Sequence, residues 1–320
     1  MYQTDFYGGK RVLVTGGNGL IGSHTIDALV ELRANVRVTF NINPPSNRIN
    51  CVDYVHADLT NPRECKKAVS GRDYVFNCAA SSYGAKIIRD DPKKVVTPNV
   101  LINTNMLDAS AEADVQKFMF ISSTIVYPNS QKVMEEGDVT GEFYEGYYGA
   151  ASMKVFGEAL SRFYHNNYGI KVAIIRPSNI YGPRDNFDRD HSHVLPALIR
   201  RAVEKENPFE VWGDGTNVRD FIYVTDFISS MLEVMEKHCV CDPINIGSGK
   251  GVALKEVIPI ILSLSGHNPR VIYDESKPNA IPFRLIDINK SHKILNTRPQ
   301  LTLEEGLRET IKWYKNERGN

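Results

Sequence analysis

Gly16, Gly19 and Gly22 stand three residues apart, where the apolar run Val12, Leu13, Val14 gives way to the helical spacing of Ile26, Leu29 and Val30. That placement suits an anion. The first glycine permits a tight turn, the second lets backbone approach a diphosphate, and the third lets a helix pack closely on the strand. The amides at the helix start, those of Leu20 and Ile21 among them, and the positive end of the dipole then face the ligand. Between a strand and a helix near the chain start, such a turn favours a dinucleotide over a plain connector. Other reactive residues are sparser. Cys51, Cys65, Cys78, Cys239 and Cys241 are scattered and odd in number, and a single CxC is a poor metal site. His191 and His193, two residues apart, make an incomplete zinc set. No metal is expected, and the thiols read as reduced cysteines of a cytoplasmic protein.

The elements that would hold this turn alternate along the first half. Candidate strands are 36–40, 54–57, 74–78, 118–122 and 172–176, with helical patterns at 62–69, 100–113 and 150–166. Strand–helix alternation predicts an α/β fold, a parallel sheet doubly wound with helices on both faces. After Tyr181-Gly182-Pro183 the pattern turns irregular, and 301–315 returns to a helical period. A smaller, loop-rich α/β part is expected there, with the ligand cleft between the two. Over 320 residues, Lys+Arg and Asp+Glu are both 38, so no net field favours nucleic acid. No apolar stretch approaches the roughly 20 residues of a membrane span.

Several further segments carry a resemblance. GGNGLIG, ADL (57–59), NCAA (77–80), SSTIVYP (122–128), RPSNIYGPR (176–184), WGDGTNVRDFIYVTD (212–226) and INIGSG (244–249) follow one another. In that order they resemble the extended short-chain dehydrogenase/reductases that modify nucleotide sugars. The segments 181–201 and 276–290 are similar to those of the GDP-L-fucose synthase branch. The resemblance implies a Rossmann dinucleotide domain, residues 1–178 plus 219–246, and a substrate domain, residues 179–218 plus 247–320. It also implies a nucleotide-diphosphate sugar as substrate, GDP-linked and handled through a 4-keto form, a place in polysaccharide biosynthesis, and a homodimer built on the helices 100–113 and 150–166.

The cofactor reading rests on the second strand. In NAD enzymes an acid commonly ends it and binds the adenine ribose. Here 36–41 ends without one, and the loop after it offers Asn47 and Arg48, an arginine able to pair with a 2′-phosphate. NADP or NAD is expected, with NADP preferred. By resemblance Asp58, with Leu59 beside it, contacts the adenine; Ala79, Asn99, Lys154 and Pro177 complete the cofactor set.

The resemblance places the catalytic hydroxyl at Ser123, the lysine at Lys154, and a tyrosine four residues before the lysine. That spacing sets phenol and ammonium on one helix face. The lysine then lowers the phenol pKa from about 10 and holds the nicotinamide ribose. Position 150 is alanine, and Tyr148 lies six residues back. Three explanations stand open. The helix starts late and Tyr148 swings in; the chain is disabled at 150; or the protein works without the phenol.

His193 matches the branch's acid–base histidine, but its cysteine partner is Ile125, which has no proton to transfer. Paired epimerisation of the branch's kind is therefore not expected, and Thr124-Ile125 in place of Asp-Glu speaks against 4,6-dehydration. Ketone reduction, alcohol oxidation or epimerisation at C4 alone remains. Asn179, Arg184, Arg219 and Lys277 match or neighbour substrate positions, arginine suiting a diphosphate by its fork. Trp212 borders the base pocket or sits in the core. Beside the GDP-linked reductase stand a UDP-hexose 4-epimerase with tightly held NAD and a catalytically silent NAD(P)- and sugar-binding protein.

Overall fold

The computed structural model describes residues 5–319, apart from 46–47, 190 and 278–280; Asn47 lies outside the described residues. The first half runs β1 (Arg11–Val14), α1 (Leu20–Glu31), β2 (Asn35–Phe40), β3 (Asp53–His56), α2 (Pro62–Val69), β4 (Tyr74–Asn77), α3 (Ala85–Asp90), α4 (Lys93–Glu112), β5 (Lys117–Ile121), α5 (Tyr148–Tyr168) and β6 (Lys171–Pro177). The second runs β7 (Asn179–Tyr181), α6 (Val194–Val203), β8 (Phe209–Trp212), β9 (Val218–Tyr223), α7 (Val224–Lys237), β10 (Ile244–Ile246), β11 (Gly251–Ala253), α8 (Leu254–Ser265), β12 (Val271–Asp274), β13 (Phe283–Arg284), α9 (Asn289–Ile294) and α10 (Leu303–Gly319).

Seven strands form one parallel sheet in the order β10-β6-β5-β4-β1-β2-β3. The order reverses direction between β1 and β4, which opens a crevice at their carboxyl ends. Beyond Arg11 in β1 and before Asn77 in β4 the two strands are short, buried and apolar, as a sheet covered on both faces requires. Val12 and Val14 point into one core and Leu13 into the other. Cys239 and Cys241 likewise divide between the two cores, and all five cysteines are free thiols.

Two boundaries differ from the sequence reading. α4 starts seven residues earlier than expected and carries Pro98 inside it. Proline lacks the N–H that would reach the Lys94 carbonyl, and Ser81 Oγ donates to that carbonyl instead at 2.9 Å. Strand β9, expected in the dinucleotide part from residue 219, pairs with β7, β11 and β13 in a separate four-stranded sheet. The chain returns to the large sheet only through α7 and β10. No described helix is long and apolar enough to cross a membrane.

Candidate active site

Gly16 has φ +66°, and a Cβ there would fall 2.7 Å from the Ala79 Cα; Gly22 packs against the Gly16 carbonyl just as closely. Both glycines are demanded by the fold. Gly19 is not: its φ is −78°, and an added Cβ would meet only the Gly16 oxygen, at 3.5 Å. What Gly19 leaves is open room at the N-terminus of α1, a twelve-residue helix with no side-chain cap and no acid in its first turn. The Leu20 and Ile21 amides face that room, which fits a dinucleotide diphosphate.

Around this turn the other expected cofactor residues are mostly braced. Asp58 Oδ1 accepts from Thr60 N and Oγ1 at 2.9 and 2.8 Å. Buried Leu59 offers its carbonyl to Asn105. The Ala79 amide donates to Thr15 Oγ1 at 2.9 Å. Asn99 is buried and bonds Ser81 N, Ser81 O and Val95 O, so it fastens the loop after β4 onto α4. Pro177 is buried in register with Ile246. Arg48 is exposed, its guanidinium 5.7 and 5.3 Å from the Phe40 and Tyr54 ring centres. Among the described residues no carboxylate pairs with it.

Ser123 caps a single 3₁₀ turn, its Oγ accepting from the Ile125 amide at 3.3 Å. Lys154 Nζ donates to the Ile121 carbonyl at 2.8 Å. Burial lowers the Lys154 pKa to about 8, against the opposing charge of Glu158. One turn before it, Ala150 is buried at 4% exposure. The explanation by a late helix start fails. α5 begins at Tyr148 itself, with helical φ and ψ, so Tyr148 lies about 240° around from Lys154. It is 64% exposed, its ring against Phe143. The cap residue before it, Tyr147, interacts electrostatically with Arg219 on the substrate side.

His193 heads α6 without capping it, and its Nε2 lies 3.5 Å from Ser82 Oγ. Desolvation lowers its pKa although the residue is exposed. Asn179 Nδ2 donates to the Asp220 carbonyl at 2.9 Å. Two expected anion contacts have acidic neighbours. Arg184 pairs with Asp27 on α1 at 2.6 Å, and exposed Lys277 sits 3.9 Å from Asp274. Trp212 is 39% exposed and donates to Glu210. Arg219 is different. It stands in register with Arg284 on the neighbouring strand, and among the described residues no carboxylate pairs with either. Burial lowers both pKa values, Arg284 to about 10 with Arg219 adding to the fall. Arg284 donates to the Tyr127 and Pro128 carbonyls at 3.2 and 3.0 Å, and its Nε has no partner. Two enclosed, uncompensated guanidiniums call for an anion. Among the described residues no cluster of three His, Cys, Asp or Glu could hold a metal.

Residues 12–247 match the NAD dependent epimerase/dehydratase family. The chain belongs to that family. It is therefore an NAD(P)-dependent enzyme of the extended short-chain dehydrogenase/reductase type, within a family of nucleotide-sugar epimerases and reductases. Among relatives, a probable GDP-L-fucose synthase 1 of Oryza sativa subsp. japonica is 32% identical, covering 96% of this chain and 92% of that one. A dTDP-4-dehydro-6-deoxy-D-allose reductase of a Streptomyces species is 29% identical, covering 97% and 98%. The UDP-glucose 4-epimerase of Thermus thermophilus, solved in complex with NAD, superposes with TM-score 0.84 at 25% identity, covering 95% and 99%.

Within this epimerase/dehydratase frame, sequence reasoning missed three features. Arg284 lay unnoticed in the segment 276–290, where no motif marks it; only strand pairing brings it beside Arg219. A buried ion pair underlies the site: Arg176 Nε and Nη2 donate to Glu158 Oε1 and Oε2 at 2.8 and 2.6 Å. Ser122 Oγ donates to the same Glu158 at 2.5 Å. Tyr127 is fully buried and donates to Asn245 Oδ1 at 2.5 Å; with its pKa raised to about 12 by burial it is a brace, not a base. The third is Ser82, the partner of His193.

Proposed function

We propose that this protein binds NAD(P) and a GDP-linked sugar and acts at the sugar's C4 through a 4-keto form, as a reductase or a single-centre epimerase. The pairing of Arg219 with Arg284 carries the reading, because a diphosphate is the anion that two adjacent forks would share. The name of the rice relative supports the guanine base. Titration calorimetry should show GDP binding, weakened at least about tenfold by Arg284→Gln, with NADP affinity unchanged. Preferred binding of UDP, with NAD retained through purification, would favour the hexose 4-epimerase instead.

Ser123 would orient the sugar hydroxyl, Lys154 the nicotinamide ribose, and the α1 amides the cofactor diphosphate. When bound, the nicotinamide exchanges hydride with C4. Position 150 supplies no proton, so the unaltered chain is a slow redox catalyst. Ile125 likewise supplies none, so with GDP-4-keto-6-deoxymannose in heavy water deuterium should enter at one carbon at most. Incorporation at two carbons, abolished together by His193→Ala, would overturn this.

NADP is the preferred cofactor, because the Arg48 guanidinium lies against the rings of Phe40 at the end of β2 and Tyr54 on β3, and among the described residues no carboxylate pairs with it to compete with a 2′-phosphate. Arg48→Ala should weaken NADP and spare NAD. NAD binding tenfold tighter in the unaltered chain, with Arg48→Ala neutral to both, would refute the preference. Leu101 on α4 and Phe156 and Phe163 on α5 are 43%, 48% and 48% exposed, an apolar face suited to a second copy. Light scattering should report a dimer, and a monomeric mass would refute it.

A further inference from the structure

Three contacts join the loop after β4 to the segment that precedes α6. Ser82 Oγ lies 3.5 Å from His193 Nε2. The Tyr83 and His191 rings lie 5.4 Å apart. A Cβ on Gly84 would fall 2.8 Å from the Ser192 carbonyl. The two segments therefore run side by side with no room for a larger residue at 84. The imidazole at 193 meets a hydroxyl on an opposing segment instead of hanging free from the start of α6. His191 is engaged elsewhere, its Nδ1 2.6 Å from Asp188 Oδ1. At 3.5 Å the Ser82–His193 contact is long, of the kind that tightens when ligand closes a site.

We propose that His193, positioned by Ser82, gives the proton to the sugar's O4 in this chain, in place of the phenol missing at position 150. The proposal rests on the 4-keto reading above. In the reductive direction hydride from NAD(P)H reaches C4 and the carbonyl π pair moves onto O4. O4 takes the proton as a His193 imidazolium N–H bond breaks, and the neutral ring recovers a proton from water. Ser82 fixes the ring's aim and the tautomer left behind. Desolvation holds the imidazole pKa below the usual histidine value, with no contribution from a charged side chain among the described residues. Among the described residues, the titratable groups on the segments packed around it are Cys78, Tyr83, Arg184, Asp185, Asp188, Arg189 and His191. Since the donor must be protonated, reduction should slow as pH rises through that lowered pKa, where a phenol donor would hold its rate.

The test uses the full chain, NADPH and GDP-4-keto-6-deoxymannose, in unaltered and Ala150→Tyr backgrounds. His193→Gln should slow the unaltered chain about a hundredfold and cost the Ala150→Tyr chain little, because the restored phenol takes over. Ser82→Ala should shift the descending limb of the pH profile and change the His193 imidazole ¹⁵N resonances in ligand-free protein; Ser82→Thr should restore both. An equal effect of His193→Gln in both backgrounds, or none in either, would overturn the proposal. So would hydride transfer seen only with Ala150→Tyr, which leaves the 4-keto reading intact. A chain that binds both ligands and transfers no hydride in either background overturns the 4-keto reading and, with it, the proposal.

Discussion

Ala150→Tyr is expected to raise turnover at least about a hundredfold with little change in sugar or cofactor affinity. The reason is geometric. α5 is continuous from Tyr148 through Lys154, so position 150 lies one turn before the ammonium and on its face. A phenol there would meet a lysine whose Nζ donates to the Ile121 carbonyl and lies over the Phe120 ring. General acid–base transfer typically contributes 10²–10⁴ in rate, so a phenol aligned with Lys154 should lower the barrier by about 3 kcal/mol below what His193 achieves. Affinity should hold because the Leu20 and Ile21 amides and the Arg219–Arg284 pair lie on other elements. Steady-state kinetics with NADPH would then show kcat rising while KM stays put. Tyr148→Phe, on the solvent side of the helix, should be neutral in the unaltered chain. A restored variant no faster than the original, with Tyr148→Phe inactive, would show that the phenol at 148 is the working acid.

The parallel sheet was legible because its strands are short apolar runs between helical periods, and the glycine turn because three glycines at fixed spacing admit few other uses. Ser123, Lys154 and Arg219 were legible through motif order. What local pattern cannot show is a partner distant in sequence. Arg284 gains its meaning from strand pairing across 65 positions, and Ser82 from a loop that folds back across 111. Arg184 and Lys277 illustrate the same limit. A basic residue near a diphosphate motif looks available until Asp27 or Asp274 is found beside it. Tyr148 turned on a helix boundary, where a shift of two residues rotates a side chain by about 200°. β9 turned on sheet membership, which its local sequence does not encode.

Replacing Glu158 with glutamine should destabilise the protein by about 3–5 kcal/mol, because it strands the Arg176 guanidinium in the interior. Arg176 is 4% exposed and bonds both Glu158 oxygens, the Tyr127 hydroxyl and the Glu136 carbonyl. For a chain of this length the melting temperature should fall by about 5–8 °C. A second effect reaches the site. The Glu158 carboxylate is the charge that opposes the desolvation of Lys154, whose pKa stands at about 8. Without it the ammonium loses its proton at lower pH. With one N–H held by the Ile121 carbonyl, the ammonium has two left for the nicotinamide ribose and the neutral amine only one, so the alkaline limb of NAD(P) affinity should move toward neutral. Packing and charge can be separated by the paired change Glu158→Met with Arg176→Leu. Burying two apolar side chains in place of an ion pair is often neutral or stabilising, so melting should recover, whereas the displaced limb should not. Recovery of both, or an unshifted limb in Glu158→Gln, would show that Glu158 supports the fold without tuning Lys154.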